Sequence, residues 1–204
     1  MTAVLAALAF GLFAGCEDDD DSGRLGEDYN FGDNNPKVLT AMGDSITESG
    51  WPSILQSMLR DSTVINRGVG GTTSAYGASA VDGALERDQP GFLLIQFGIN
   101  DVIHSRDLSH TVENLRHMVR AAKARRTIPI IATLTPVYDS HRAFSSQARR
   151  LSSMIVDMAR EEGAKVANLQ SAFGSNRALI EDDGLHPSEA GKTEIAATFY
   201  DVLR

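Results

Sequence analysis

The sequence predicts an α/β domain built on a parallel sheet with helices on both faces. Short apolar runs of strand length alternate with longer segments in which apolar residues recur three and four positions apart. This alternation is typical of β-α-β units, whose crossover helices cover both faces of a parallel sheet. The loops at the carboxyl ends of such strands are where we expect a functional site.

Five segments have the pattern of strands, and the continuous apolar run that ends at Gly98 is typical of a strand buried on both faces. The predicted strands cover residues 38–42, 63–66, 92–97, 128–134 and, more weakly, 164–169. A helix is predicted to begin near Trp51-Pro52, because proline is favoured in the first turn of a helix. Three further helices are predicted from apolar stripes, which we interpret as core-facing and not as cofactor-binding. The stripes consist of Val112, Leu115, Met118, Val119 and Ala122; of Phe144, Ala148, Leu151, Ile155 and Met158; and of Ile195, Phe199 and Val202.

Length, composition and charge exclude several classes of protein. A chain of 204 residues, 42% hydrophobic and 23% charged, is typical of one globular domain and not of a disordered, collagen-like or polytopic membrane protein. Residues 17–28 carry seven acids and one arginine, a balance of −6, so the remainder of the chain holds only −2 of the net charge of −8. We therefore find no basic stripe that would bind a nucleic acid.

The first residues have the composition of an export signal. Residues 2–15 are small and apolar, too short a run to span a bilayer, and Cys16 is the only cysteine, so neither an internal disulfide nor a zinc site is expected. The end of the run resembles a bacterial lipobox. We predict a lipoprotein-type signal peptide over residues 1–15, lipidation of Cys16, an acidic flexible tether over residues 16–36 and a catalytic domain over residues 37–204.

This organisation implies an exported bacterial protein, anchored to the membrane only by its N-terminal lipid and facing the periplasm or the cell exterior. Two other interpretations of the same residues remain open. They are a plain secretory signal, which would give a soluble periplasmic or secreted protein, and a buried N-terminal strand with an incidental cysteine.

Four loops combine glycine with polar side chains, three of them directly after predicted strands. They cover residues 43–47, 68–73, 98–101 and 183–187. Singly, each has an ordinary explanation as a turn or a helix cap. The glycine-rich loop lacks the lysine of a phosphate-binding loop and the third glycine of a dinucleotide fingerprint, so no nucleotide cofactor is expected.

Together, the four loops supply the groups that ester hydrolysis needs. Ser45 is a candidate nucleophile, His186 a candidate base, and Asp183, three residues before it, a candidate acid to hold the imidazole. The backbone N–H of Ser45, those of the glycine-rich loop and the amide of Asn100 are candidate donors to an oxyanion. This chemistry requires neither a metal ion nor an organic cofactor.

The order of the motifs resembles the SGNH (GDSL) hydrolase family over the whole domain. The shared motifs are Gly-Asp-Ser-Ile at residues 43–46, a glycine in the second loop, Gly-x-Asn-Asp at 98–101 and Asp-x-x-His-Pro at 183–187. Residues 51–55 and 66–77 also resemble the branch that contains bacterial thioesterase I/lysophospholipase L1 esterases. The resemblance implies a flavodoxin-like three-layer α/β/α fold, a Ser45–His186–Asp183 triad and an oxyanion hole formed by Ser45, Gly71 and Asn100. Gly70 remains an alternative to Gly71.

The expected function is hydrolysis of acyl or acetyl esters of lipids or glycans through an acyl-enzyme. Export would separate the protein from acyl-CoA, which is confined to the cytoplasm. Two alternatives use the same residues: an acyltransferase, and a non-catalytic domain that binds a glycan or a lipid. Of the other histidines, His104 and His141 follow the third and fourth predicted strands, at the end of the sheet where the pocket is predicted. Neither has an acid at the spacing of a triad, so neither is expected to be the base or to contact substrate, and His117 lies on the polar side of a helix.

Overall fold

The computed structural model describes residues 29–204. The predicted signal peptide, Cys16 and most of the predicted tether lie outside the described residues. Within the described range the strands are β1 (Asn35–Gly43), β2 (Thr63–Gly68), β3 (Pro90–Gln96), β4 (Ile128–Ala132) and β5 (Lys165–Ala167). The α-helices are α1 (Ser45–Glu48), α2 (Trp51–Met58), α3 (Ser74–Asp88), α4 (Ile99–Ile103), α5 (Leu108–Ala124), α6 (Ser145–Glu162), α7 (Leu169–Phe173) and α8 (Glu189–Leu203). Short 3₁₀ helices cover Asp139–Phe144 and Arg177–Leu179.

The five strands form one parallel sheet in the order β2-β1-β3-β4-β5. This order is that of flavodoxin-like folds, and it confirms the predicted fold class. At one edge of the sheet, Gly43 of β1 pairs with Gly68 of β2 and with Gln96 of β3. The loops that follow these three strands therefore begin side by side.

Helices pack in two groups on opposite faces of the sheet. On one face α2 packs against α8, where the Trp51 ring stacks on Phe199 with 4.6 Å between ring centroids. On the other face α5 lies between α3 and α6. The three predicted apolar stripes are buried in this core, with only Phe144 and Val202 partly buried. Every residue of β3 is buried, which is why its sequence is continuously apolar instead of alternating.

Residues 29–36, which the sequence analysis placed in the tether, pack onto the domain. The Phe31 side chain is only 8% exposed, and its ring lies 5.6 Å from that of Phe92 on the central strand β3. Strand β1 itself begins at Asn35 and not at Lys37. The predicted boundary at residue 37 is therefore too late, because Phe31 buries apolar surface that a flexible tether would leave in water.

No helix within residues 29–204 is long and apolar enough to cross a membrane.

We expect Phe31→Ala to lower the free energy of unfolding by about 3 kcal/mol, because it removes a buried ring and leaves a cavity beside Phe92. Tyr29→Ala is the matched control. Its ring is 47% exposed, so its loss should lower the free energy by less than about 1 kcal/mol. Urea denaturation of the three proteins measures both values, and equal stability of Phe31→Ala and wild type would contradict the packing of this segment.

Candidate active site

Ser45 lies just beyond the carboxyl end of β1, at the first position of the short helix α1. Asp44 caps this helix, since its Oδ1 accepts a hydrogen bond from the Ile46 N–H at 3.0 Å. A Cβ at Gly43 would lie 1.9 Å from Thr47 Oγ1 and 2.7 Å from the carbonyl oxygen of Gln96. The turn that presents Ser45 therefore requires glycine at residue 43.

The structure brings Ser45, His186 and Asp183 into one chain of hydrogen bonds. Ser45 Oγ lies 3.0 Å from His186 Nε2, and His186 Nδ1 lies 2.5 Å from Asp183 Oδ2. A carboxylate can only accept, so the proton of the imidazole lies on Nδ1 and Nε2 accepts from the serine hydroxyl. The arrangement therefore holds the imidazole in the tautomer that can take a proton from Ser45.

A tight turn holds Asp183 and His186 in this position. Asp183 Oδ1 accepts from the N–H of Leu185 at 2.8 Å and from that of His186 at 3.0 Å. Although burial raises the pKa of the Asp183 carboxyl, hydrogen bonds from the His186 ring and from these two N–H groups lower it more, to about 2. Asp183 is therefore ionised at neutral pH and keeps its full charge beside His186.

Asn100 is the second residue of the short helix α4. Gly98, which precedes this helix after β3, has a φ of +128° that residues with a side chain rarely adopt. The Asn100 side chain is only 8% exposed, and its Nδ2 donates to the Thr72 carbonyl at 2.9 Å. An amide nitrogen has two N–H groups, so one of them remains for a substrate oxygen.

Asp101 has a positioning role that the sequence analysis did not assign. Its carboxylate is buried and accepts from the Ser74 N–H at 2.9 Å and from the Ser74 hydroxyl at 2.6 Å. Ser74 is the first residue of α3, directly after the glycine-rich loop. Asp101, the third residue of α4, thus fastens the end of the glycine-rich loop to the helix that follows β3. The sequence shows that Asp101 is a polar residue shortly after a strand. It does not identify Ser74 as the partner of Asp101, because the two residues are 27 positions apart.

The glycine-rich loop contains a turn from Val69 to Thr72, in which Thr72 N donates to the Val69 carbonyl at 3.3 Å and Gly71 has a φ of +74°. A Cβ on Gly70 would lie 3.9 Å from Ser45 Cβ, whereas one on Gly71 would have nothing within 4 Å. Neither glycine N–H has a hydrogen-bond acceptor among residues 29–204. Within the described residues, both N–H groups therefore lack an acceptor and are candidates to donate to an oxyanion.

The other histidines differ in their relation to this site. His141 borders it, since its Nδ1 lies 3.0 Å from the Asp183 carbonyl, to which Ser140 Oγ also donates at 2.9 Å. His104 follows α4, is exposed, and forms no hydrogen bond with Ser45, His186 or Asp183. His117 is exposed on α5, as expected. In the part of the chain described here, no cluster of three or more His, Cys, Asp or Glu side chains is arranged to hold a metal ion.

Known proteins share this sequence pattern. The GDSL-like Lipase/Acylhydrolase family matches residues 41–193, three quarters of the chain. The chain belongs to this family. The resemblance that the motifs indicate is thus confirmed.

Curated relatives in this family include an esterase and a thioesterase. Esterase TesA of Pseudomonas aeruginosa is 26% identical over 183 residues, which cover 82% of this chain and 88% of that protein. Thioesterase 1/protease 1/lysophospholipase L1 of Escherichia coli K12 is 23% identical over 169 residues, covering 78% of this chain and 79% of that protein. Membership of the family and the activities in these names show that this chain is an ester-bond hydrolase.

Solved structures share the fold of this hydrolase. A GDSL-like lipase from Bacteroides thetaiotaomicron superposes with a TM-score of 0.72 at 23% identity, covering 82% of this chain and 87% of that one. An acetyl xylan esterase superposes with a TM-score of 0.75 at 16% identity, covering 82% of this chain and all of that one.

The hydrolase has a second carboxyl close to the site, that of Asp44. This side chain is 1% exposed. Burial raises the pKa of the Asp44 carboxyl from 3.8 to about 7; the nearby Asp101 carboxylate adds to the rise, while the Ile46 N–H and His186 oppose it. In the folded protein this carboxyl therefore holds its proton over a pH range in which the unfolded chain releases it.

Because the pKa of Asp44 is raised in the folded protein, the free energy of unfolding decreases as the pH rises. The contribution of Asp44 to this free energy is complete below about pH 4 and is lost as the pH rises through about 7. Asp44→Asn keeps the oxygen that caps α1 and removes the titration. We expect the fall in melting temperature between pH 5 and pH 8 to be smaller in Asp44→Asn than in wild type, measured by circular dichroism.

Asp107→Asn is a control of opposite sign. Asp107 also caps a helix, but the N–H groups of Ser109 and His110 lower the pKa of its exposed carboxyl. The contribution of Asp107 to the free energy of unfolding is complete above about pH 4. Asp107→Asn should therefore leave the change in melting temperature between pH 5 and pH 8 the same as in wild type. Equal slopes for Asp44→Asn and wild type would contradict a raised pKa at Asp44.

Proposed function

We propose that this hydrolase is a serine esterase that acts on carboxylic esters of lipids or glycans through an acyl-enzyme. The observation that carries the proposal is the pair of hydrogen bonds from Ser45 to His186, at 3.0 Å, and from His186 to Asp183, at 2.5 Å. A serine hydroxyl is a weak nucleophile until a base takes its proton, and Nε2 of His186 is placed to do so.

In the proposed reaction, Ser45 Oγ attacks the ester carbonyl carbon as His186 Nε2 accepts the hydroxyl proton. The negative charge that develops on the carbonyl oxygen is stabilised by the N–H groups of Ser45 and Gly71 and by the Asn100 amide. His186 then donates its proton to the departing alcohol, which leaves an acyl group on Ser45. A water molecule, deprotonated by His186, attacks this acyl group and releases the acid and the free serine.

Asp183 supports both steps by remaining charged. Each step places a positive charge on the imidazole for a short time, and a carboxylate whose pKa is about 2 stabilises it. Its hydrogen bond also keeps the ring oriented towards Ser45. We propose Gly71 instead of Gly70 as the backbone donor. Its spacing from Thr73-Ser74 and from Asn100 matches the glycine of the motif in the family that the sequence resembles.

We expect Ser45→Ala to lower kcat for p-nitrophenyl esters by at least about 10⁴-fold, because the nucleophile itself is lost. Ser53→Ala, an exposed serine on α2, is the control and should retain wild-type kcat. The assay should measure kcat of the full-length proteins for p-nitrophenyl esters with acyl groups from acetyl to palmitoyl.

Three other results would change the assignment. Activity that survives in Ser45→Ala would contradict a serine esterase. If the wild-type protein is folded but no more active than Ser45→Ala on any of the esters, the result would favour a binding domain. A product that forms only with an added sugar acceptor would indicate an acyltransferase.

We expect Asn100→Ala to lower kcat by about 10²–10³-fold, because one donor to the oxyanion is removed. The control is Asn114→Ala, which removes the hydrogen bond from Asn114 Nδ2 to Ser74 Oγ next to the same loop. If the effect of Asn100→Ala came only from loosening of the loop, the two variants would show similar losses of kcat.

A further inference from the structure

The turn that carries Asp183 and His186 lies between the second 3₁₀ helix and α8, outside every strand and long helix. Its internal hydrogen bonds run from the Gly184 N–H to the Glu181 carbonyl at 3.0 Å and from the Glu181 N–H to the His186 carbonyl at 2.8 Å. These bonds close the turn on itself but do not connect it to the sheet, whose end presents Ser45. Contacts with other segments therefore set the position of the turn relative to Ser45.

The segment after β4 contacts this turn through its backbone and through two side chains. The Tyr138 N–H donates to the Gly184 carbonyl at 2.8 Å. The Asp183 carbonyl accepts twice, from Ser140 Oγ at 2.9 Å and from His141 Nδ1 at 3.0 Å. A Cβ on Gly184, whose φ is +76°, would lie 2.3 Å from the Tyr138 carbonyl oxygen, so the two backbones are in direct contact. The segment after β4 thus supports the main chain of the catalytic acid.

The Asp183 carbonyl determines the tautomer of His141. A carbonyl oxygen can only accept, so the ring nitrogen that faces it, Nδ1, carries the hydrogen. The other nitrogen, Nε2, has no hydrogen-bond partner among residues 29–204, and the hydroxyl of Ser45 is bonded to His186. His141 is therefore placed to donate to the main chain of Asp183 and not to act as the base.

The segment that carries His141 is itself held in place. The backbone N–H of His141 donates to the Tyr138 carbonyl at 2.8 Å, and its half-buried ring lies 6.4 Å from that of Phe144. Two residues earlier, Asp139 has a φ of +45°, which residues with a side chain seldom adopt. Arg177 holds Asp139 there by donating to its Oδ2 from Nε at 2.9 Å and from Nη2 at 2.5 Å. The imidazole therefore has little freedom to change its position.

We infer that His141 is a positioning residue of the proposed triad. By donating to the Asp183 carbonyl it fixes the main chain of Asp183, and with it the direction from which the carboxylate meets Nδ1 of His186. Catalytic groups must be held to within about 0.5 Å, and a displacement of about 1 Å can lower turnover by as much as about 10²-fold. The inference rests on the proposed esterase function and adds a supporting residue to it.

Two substitutions of His141 test this role in the full-length protein with p-nitrophenyl acetate. His141→Leu removes the donor, whereas His141→Asn retains one, because the amide nitrogen of asparagine can take the place of the imidazole Nδ1. We expect kcat to be about tenfold lower in His141→Leu and within about twofold of wild type in His141→Asn. KM should stay the same in both, since acylation and deacylation depend equally on the triad. His117→Leu, which removes an exposed histidine on α5, is the matched control and should keep wild-type kcat.

Counting the active sites in each protein separates positioning from folding. Diethyl p-nitrophenyl phosphate transfers its phosphoryl group to the nucleophilic serine and releases one p-nitrophenol per site, so kcat can be expressed per active site. A histidine that served only stability would lower the number of sites or the melting temperature and leave kcat per site at the wild-type value. That result, or an equal loss of kcat per site in His141→Asn and His141→Leu, would overturn the inference.

A double-mutant cycle tests whether His141 acts through Asp183. In the Asp183→Ala background the carboxylate that His141 orients is gone, so His141→Leu should lower kcat by less than about twofold there. A further tenfold loss in that background, about the same as in wild type, would show that the two residues act independently and would also overturn the inference. Failure of the esterase proposal itself gives a different result, because activity would then survive in Ser45→Ala.

Discussion

Close contact between the backbone of the glycine-rich loop and helix α1 is the constraint on which the active site depends. A Cβ on Gly68 would lie 2.2 Å from the backbone nitrogen of Glu48, so the loop reaches this position only with glycine. Asn66 fastens the same loop by donating from its Nδ2 to the Thr47 carbonyl at 3.1 Å. Because Ser45 begins α1 and Gly71 follows Gly68 in the loop, this contact sets the distance between the proposed nucleophile and its oxyanion donor. Any side chain at residue 68 would move them apart.

Buried hydrogen bonds extend this constraint to the loop after β3. Gln96 Oε1, at the end of that strand, accepts from Thr47 Oγ1 at 2.9 Å and from Trp51 Nε1 at 2.7 Å, which ties α1 and α2 to the sheet. Asp101, on the helix α4 that follows this strand, accepts hydrogen bonds from Ser74 at the end of the glycine-rich loop. Loop ends have no strand neighbours to pair with, so buried side chains must take the place of a ladder of backbone bonds. Donors held in this way need little rearrangement when charge develops on a substrate.

The sequence was sufficient for features that a short window contains, and insufficient for those that depend on distant residues. Each strand and each striped helix has its own apolar pattern, and these were predicted. Helix α3 was not predicted, because its buried face includes Gly77 and Ala84, small residues that give little contrast with its polar side. The burial of Phe31 depends on Phe92, which no local pattern near residue 31 reveals. The sequence motifs predicted which residues form the site. The distances between these residues, and the role of Asp101, are visible only in the folded structure.

Asp183 and Asp44 are two carboxyls near one histidine, and the fold shifts their pKa values in opposite directions. Asp183 is partly exposed and accepts three hydrogen bonds, two from backbone N–H groups and one from the His186 ring, which together favour its charged form. Asp44 is fully buried and accepts one, from the Ile46 N–H, so the loss of hydration dominates and favours its neutral form. The neutral form of Asp44 carries no charge that competes with that of Asp183, so the carboxylate that orients the His186 ring is the one bonded to its Nδ1.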